Sequence, residues 1–126
     1  MNAIQMQILV IGMFYLFIFL SGIWLNRSGK PYNGIILAIH KLISLGTIVF
    51  LVITIRRISR ISPLSMIQWI VSIITGLFLL GTMITGGLLS TRKSMPKAVT
   101  KLHRIIPLLT VLSTAVMLYL LFRYKL

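Results

Sequence analysis

The sequence contains no aspartate, no glutamate and no cysteine among its 126 residues. Without cysteine the chain forms no disulfide, no thiolate metal site and no thiol nucleophile. Without carboxylate side chains it has no pair of acids for general acid and base catalysis. These absences exclude a large share of the known enzyme classes before any motif is considered.

Apolar residues and positive charge dominate what remains. Hydrophobic residues make up 58% of the chain and the mean hydropathy is +1.04, well above the usual range for water-soluble domains. The formal charge of +13 comes from lysines and arginines in short runs between apolar segments. This pattern predicts one integral membrane domain over residues 1–126, with the lipid bilayer and anionic lipids as partners and no nucleic acid.

Four apolar runs cover residues 3–25, 33–55, 64–89 and 100–122. Each is long enough to cross about 30 Å of hydrocarbon, which takes about 20 residues of helix. The first run is expected to be a retained helix, since it is too long for a signal peptide and has no basic segment before it. Short loops make neighbouring helices antiparallel, so the sequence predicts an all-α antiparallel four-helix bundle.

A bacterial or archaeal inner membrane is the expected location. Counting lysines and arginines at the two sets of loops leaves the orientation undecided, with a lean towards a cytoplasmic position for the end that carries both histidines.

The two halves of the chain resemble each other. Gly22, Arg27 and Pro31 recur 65 positions later as Gly87, Arg92 and Pro96, while His40 recurs 63 positions later as His103. The repeat indicates a duplicated helical hairpin with a pseudo-twofold axis along the membrane normal. Coincidence is the alternative, because basic and apolar residues recur often in membrane proteins.

His40 and His103 are the only histidines, and each lies in an apolar helix with a basic residue directly after it. Helices 2 and 4 run in the same direction, so both histidines are expected near one membrane face. An imidazole in hydrocarbon needs a partner, and the chain has no acidic side chain to serve as one. A closed zinc site needs three or four protein ligands, whereas haem iron needs only two axial ligands. The two histidines are therefore predicted to ligate one haem iron. One alternative is that both are interfacial or helix-packing residues, hydrogen-bonded to backbone carbonyls or water; the other is a different ligand.

Haem propionates require cations near the interface, and Lys41, Lys101 and Arg104 are the candidates beside the histidines. A porphyrin also needs space between helices 1 and 3. Small residues at the matching depth are expected to provide that space, with ordinary small-residue helix packing as the alternative explanation; they are Ser21, Gly22, Thr82, Thr85, Gly86 and Gly87.

The segments HKLISLG, residues 40–46, and HRIIPLL, residues 103–109, resemble the ligand helices of small four-helix b-type membrane cytochromes. These are broadly the cytochrome b-561 and di-haem cytochrome b families. The resemblance covers mainly helices 2 and 4. It implies non-covalent haem b held between histidines, and an electron carrier rather than a substrate-specific enzyme. It also implies electron exchange with a quinone, ascorbate, superoxide or a partner subunit. The chain departs from two-haem relatives because one histidine pair provides ligands for one haem only.

A non-redox membrane protein is the competing interpretation. A small channel or transporter, or an assembly subunit of a larger membrane complex, would share the four apolar helices without binding a pigment. A homo-oligomer is open under either interpretation.

Overall fold

The computed structural model describes residues 1–91 and 93–123. Its helices are α1 (Ala3–Ser28), α2 (Gly34–Ile61), α3 (Met66–Leu89) and α4 (Lys97–Phe122). Helix accounts for 85% of the described residues, and no strand occurs among them. The predicted all-α fold class is confirmed, and four such helices are consistent with a transmembrane four-helix bundle.

All four helices are long and apolar enough to cross a membrane. Each has at least 24 residues, so each reaches at least about 36 Å at 1.5 Å per residue, which exceeds the hydrocarbon thickness. The chain therefore has the composition and the helix lengths of an integral membrane protein.

The helix ends differ from the predicted runs by up to six residues. Helix α2 continues to Ile61, through three arginines that end the apolar run at residue 55, and α4 begins at Lys97 rather than at residue 100. Hydropathy locates the part of a helix that lies in hydrocarbon, whereas turn-forming residues determine where the helix stops. Pro63 lies two residues after the end of α2, and Pro96 is the N-cap of α4. Proline disfavours the helical conformation in the residue before it, so both positions mark a boundary between helix and loop.

Side chains cap three of the helices. Asn2 with Gln5 and Ser65 with Gln68 form capping boxes at the starts of α1 and α3. Asn33 Oδ1 accepts hydrogen bonds from the backbone N–H groups of Ile35 and Ile36 at the start of α2. These bonds satisfy backbone donors that have no partner within the helix.

Contacts within the chain define two compact units, Met1–Thr54 and Ile55–Leu126. The first, called hairpin 1, contains α1 and the part of α2 up to Thr54. Its two helices meet through an edge-to-face contact of Phe14 and Phe50, with ring centroids 5.9 Å apart. This contact between α1 and α2 is apolar, in contrast to the hydrogen bond at His40.

The second unit contains hairpin 2, formed by α3 and α4. Its helices are joined by polar contacts: Gln68 Nε2 donates to the carbonyl of Leu120 at 2.8 Å, and Thr75 and Ser113 share a hydrogen bond between their hydroxyls. Thr75 is also buried. Interhelical hydrogen bonds of this kind stabilise helix pairs in membranes by about 0.6–2 kcal/mol each.

Candidate functional site: two histidine seats

His40 lies on α2 and is half-buried against α1 in hairpin 1. Its Nδ1 atom is 2.8 Å from Ser21 Oγ. The next residue of α1, Gly22, passes directly beneath the ring, so that a Cβ added there would lie 3.2 Å from His40 Cε1. A hydroxyl and an adjacent glycine therefore hold this imidazole in place.

His103 has the same surroundings on α4 in hairpin 2. Its Nδ1 atom is 2.9 Å from Thr85 Oγ1, and a Cβ added to Gly86 would lie 2.9 Å from His103 Cε1. Thr85 is buried and Gly86 is half-buried. We call each arrangement of hydroxyl, glycine and imidazole a histidine seat: Ser21, Gly22 and His40 form seat 1, and Thr85, Gly86 and His103 form seat 2.

The hydroxyl in each seat indicates which ring nitrogen carries the proton. Ser21 Oγ is 2.7 Å from the carbonyl of Phe17, and Thr85 Oγ1 is 2.9 Å from the carbonyl of Gly81. A hydroxyl has one hydrogen to donate, and the carbonyl can only accept it. With that hydrogen on the carbonyl, the hydroxyl oxygen accepts from Nδ1–H of the histidine, and we assign this tautomer to both rings. In this tautomer Nε2 carries the lone pair, which is the form a metal-binding histidine takes.

The seats give the register of the internal repeat. Gly22 is equivalent to Gly86, 64 positions later, and not to Gly87 as the 65-residue spacing indicates. A Cβ added to Gly87 would meet no atom within 4 Å. Successive helical residues point about 100° apart, so only one of two adjacent glycines can lie under the ring.

Burial follows the same repeat along the two histidine-bearing helices. In α2 the residues Thr47, Leu51 and Thr54 are buried; 63 positions later so are Thr110, Thr114 and Met117 of α4. This is also the spacing between His40 and His103. Seats and burial together favour the duplicated hairpin over coincidence. Arg92, which belongs to the predicted repeat, lies outside the described residues.

The cations predicted to meet propionates lie at different angles from the histidines. Lys41, Lys101 and Arg104 are all exposed. Lys41 and Arg104 directly follow their histidines and so point about 100° away around the helix, whereas Lys101 points about 160° away from His103. Lys41 and Arg104 remain the better placed of the three.

An apolar groove adjoins seat 1 within hairpin 1. Its volume is about 250 Å³ and Ser21 belongs to both the groove and the seat. Apart from Ser21 the groove is lined by apolar side chains; its lining residues are Phe17, Leu20, Ser21, Trp24, Ile36, Ile39 and Ile43.

Metal binding through side chains alone has little support. Within residues 1–91 and 93–123, no group of three or more His, Cys, Asp or Glu side chains could hold a metal ion. A zinc site closed by protein ligands needs three or four such groups. What the seats offer is two imidazoles, the number of axial ligands that a porphyrin iron takes from a protein.

From the sequence, Ser21 and Thr85 are predicted only to be small residues that leave space for a porphyrin. Their hydrogen bonds to the histidines were not anticipated, although a signal exists: each histidine is preceded, 18 or 19 residues earlier, by a hydroxyl residue followed by glycine. A comparison with protein families, curated proteins and solved structures finds no match to the chain.

Proposed function

We propose that this chain is a membrane-embedded electron-transfer protein that binds one haem b between His40 and His103. The observation that carries the proposal is that the same seat is built twice, around the only two histidines in the sequence. A chain that repeats a hydroxyl, a glycine and an imidazole in each half has two similar ligands to offer to one iron.

The residues of the seats fit the requirements of a haem ligand. A ligating histidine needs its second ring nitrogen hydrogen-bonded, so that the ring orientation and the tautomer are fixed. Ser21 and Thr85 supply that bond, and Gly22 and Gly86 let the rings pack directly on the neighbouring helix. When bound, haem b supplies one-electron redox chemistry, and two histidine ligands favour electron transfer over oxygen binding.

Haem b carries two propionates, and this chain has no acidic residue competing for its cations. We assign propionate binding to Lys41 and Arg104, which follow the two histidines directly. A quinone or a redox partner subunit is the proposed electron donor or acceptor, since both reach a protein within the bilayer. The proposed location is a bacterial or archaeal inner membrane.

A non-redox protein is the second candidate, and the seats themselves provide its argument. Each imidazole already has a hydrogen-bonding partner in its own hairpin, which offsets the cost of placing it in hydrocarbon without any cofactor. In that case the seats lock helix pairs together and the protein carries no pigment.

The visible spectrum of purified protein separates the two candidates. Protein from haem-supplemented cells is expected to show sharp α and Soret bands in the reduced-minus-oxidised difference spectrum, with one haem per chain. Colourless protein obtained from such cells would contradict the cytochrome proposal and support the helix-locking function.

Replacing Thr85 by valine tests the part that the seat hydroxyl plays. The change keeps the shape of the side chain but removes the acceptor of the His103 Nδ1–H bond. Loss of a hydrogen bond to a metal-ligating side chain typically weakens metal affinity by about 10–100-fold. We expect a loss of that size for haem, measured by titration of the apoprotein.

Thr82→Val is the matched control for this change. Thr82 lies one turn from Thr85 and donates to the carbonyl of Phe78, while its Oγ1 is 3.4 Å from that of Thr110. Haem affinity is expected to stay near the wild-type value in Thr82→Val. Equal losses in both variants would mean that hairpin stability, and not the orientation of His103, sets the affinity.

A further inference from the structure

The first turns of α4 carry cations along one side. Lys97, Lys101 and Arg104 are spaced four and three residues apart, which places them within an arc of about 60°. All three are exposed. Like charges at such spacings repel each other on a helix, and the sequence contains no acidic side chain to offset them. Negative charge from outside the chain would relieve this repulsion.

An exposed apolar strip continues from the cations along the same side of α4. Leu108 is 61% exposed and Leu112 is 63% exposed, and both fall within about 60° of Lys97 around the helix. The rise from Lys101 to Leu112 is about 16 Å, close to the thickness of one hydrocarbon leaflet. Cations followed by a leaflet-deep apolar strip match the two parts of a phospholipid.

This side of α4 points away from the contact with α3. Lys101 lies about 160° around the helix from His103, and the ring of His103 is hydrogen-bonded to Thr85 of α3. The two lysines are also absent from the corresponding part of α2, where Gly34 and Ala38 occupy the positions 63 residues before Lys97 and Lys101; only Arg104 has a basic counterpart there, Lys41. The repeated hairpin therefore does not require them for its own packing.

We propose that this side of α4 binds an anionic phospholipid. Lys97 and Lys101 contact the phosphate of the headgroup, and Leu108 and Leu112 contact an acyl chain. The apolar strip favours a lipid over free phosphate, because inorganic phosphate would use the lysines and leave the strip without a partner. Arg104 completes the arc but has a separate proposed role beside His103, so the test leaves it unchanged.

Lipid binding can be counted on the full-length protein in a neutral detergent. The protein is titrated with phosphatidylglycerol, and bound lipids are measured by native mass spectrometry, with phosphatidylcholine as the neutral lipid. Each lysine near an anionic headgroup contributes about 1 kcal/mol, so Lys97→Gln with Lys101→Gln is expected to weaken phosphatidylglycerol binding about 30-fold. Phosphatidylcholine binding is expected not to change.

Two control variants separate a specific strip from general charge attraction. Arg56→Gln with Arg57→Gln removes the same charge near the end of α2, and phosphatidylglycerol binding is expected to persist. Lys101→Gln with Leu102→Lys keeps the net charge but moves one cation about 100° around the helix, and binding is expected to weaken about fivefold.

Equal losses in the Lys97/Lys101 and Arg56/Arg57 variants would overturn the proposal, as would unchanged binding in the Lys97/Lys101 variant. Displacement of the lipid by inorganic phosphate at similar concentration would also overturn it, by showing a phosphate site instead of a lipid site. Lys97→Gln alone keeps all three cations predicted beside the histidines, so its haem content is expected to equal that of wild type while phosphatidylglycerol binding weakens about fivefold. The lipid test is then independent of the proposed electron-transfer function.

Discussion

Protein in which both His40 and His103 are replaced by alanine is expected to purify without haem. The two changes remove both proposed axial ligands. The loss of haem affinity should therefore exceed the roughly 10–100-fold loss that is typical when only a residue hydrogen-bonded to a ligand is replaced. Each single variant leaves one ligand and is expected to lose the spectrum of a six-coordinate, low-spin iron. The measurement is the haem content per chain together with the visible spectrum.

Ser44→Ala is a suitable control for the histidine variants. Ser44 lies one turn after His40, and its hydroxyl donates to the backbone carbonyl of His40 at 2.7 Å, whereas the seat hydroxyl of Ser21 meets the ring at Nδ1. This variant is expected to keep its haem. Haem retained at the wild-type level in the double histidine variant would show that the pigment is held elsewhere or bound without these ligands.

Gly86→Ala is expected to have the second largest effect. Its Cβ would lie 2.9 Å from His103 Cε1, closer than real Cβ contacts allow, so the ring or the helix must move. Overpacking of this kind typically costs about 1–3 kcal/mol. A displaced ring should also weaken haem binding, and thermal unfolding in detergent and haem titration would measure the two effects.

The adjacent glycine offers a matched control. Gly87 is exposed, and a Cβ there would meet no atom within 4 Å, so Gly87→Ala should leave stability and haem binding close to wild type. Gly22→Ala, with its Cβ 3.2 Å from His40 Cε1, is expected to fall between the two. Equal effects of Gly86→Ala and Gly87→Ala would contradict the seat geometry.

Much of the fold could be predicted because four apolar runs of membrane length leave few alternatives to helices. The helix ends were less predictable. Arg56, Arg57 and Arg60 interrupt the apolar run but not the helix, since arginine is a good helix former and the helix can extend past the hydrocarbon. Proline at positions 63 and 96 is the better guide to where α2 ends and α4 begins.

The histidines of the candidate site stood out because they are isolated polar groups in apolar helices. Their immediate surroundings could not be predicted, since these depend on the register between neighbouring helices. Gly86 and Gly87 are the same residue type and differ only in the direction in which they face from the helix. In the structure it is Gly86 that lies against the His103 ring. The same register places the hydroxyls of Ser21 and Thr85 within hydrogen-bonding distance of the histidine rings, a role that their small size alone does not predict.

The electron paramagnetic resonance spectrum of the oxidised, purified protein tests the central claim most directly. If His40 and His103 both ligate one haem through Nε2, the spectrum should be that of low-spin iron with two imidazole ligands, in one copy per chain. A high-spin haem signal would show that the two seats do not ligate the same iron. The absence of any haem signal in protein from haem-supplemented cells would contradict the account altogether.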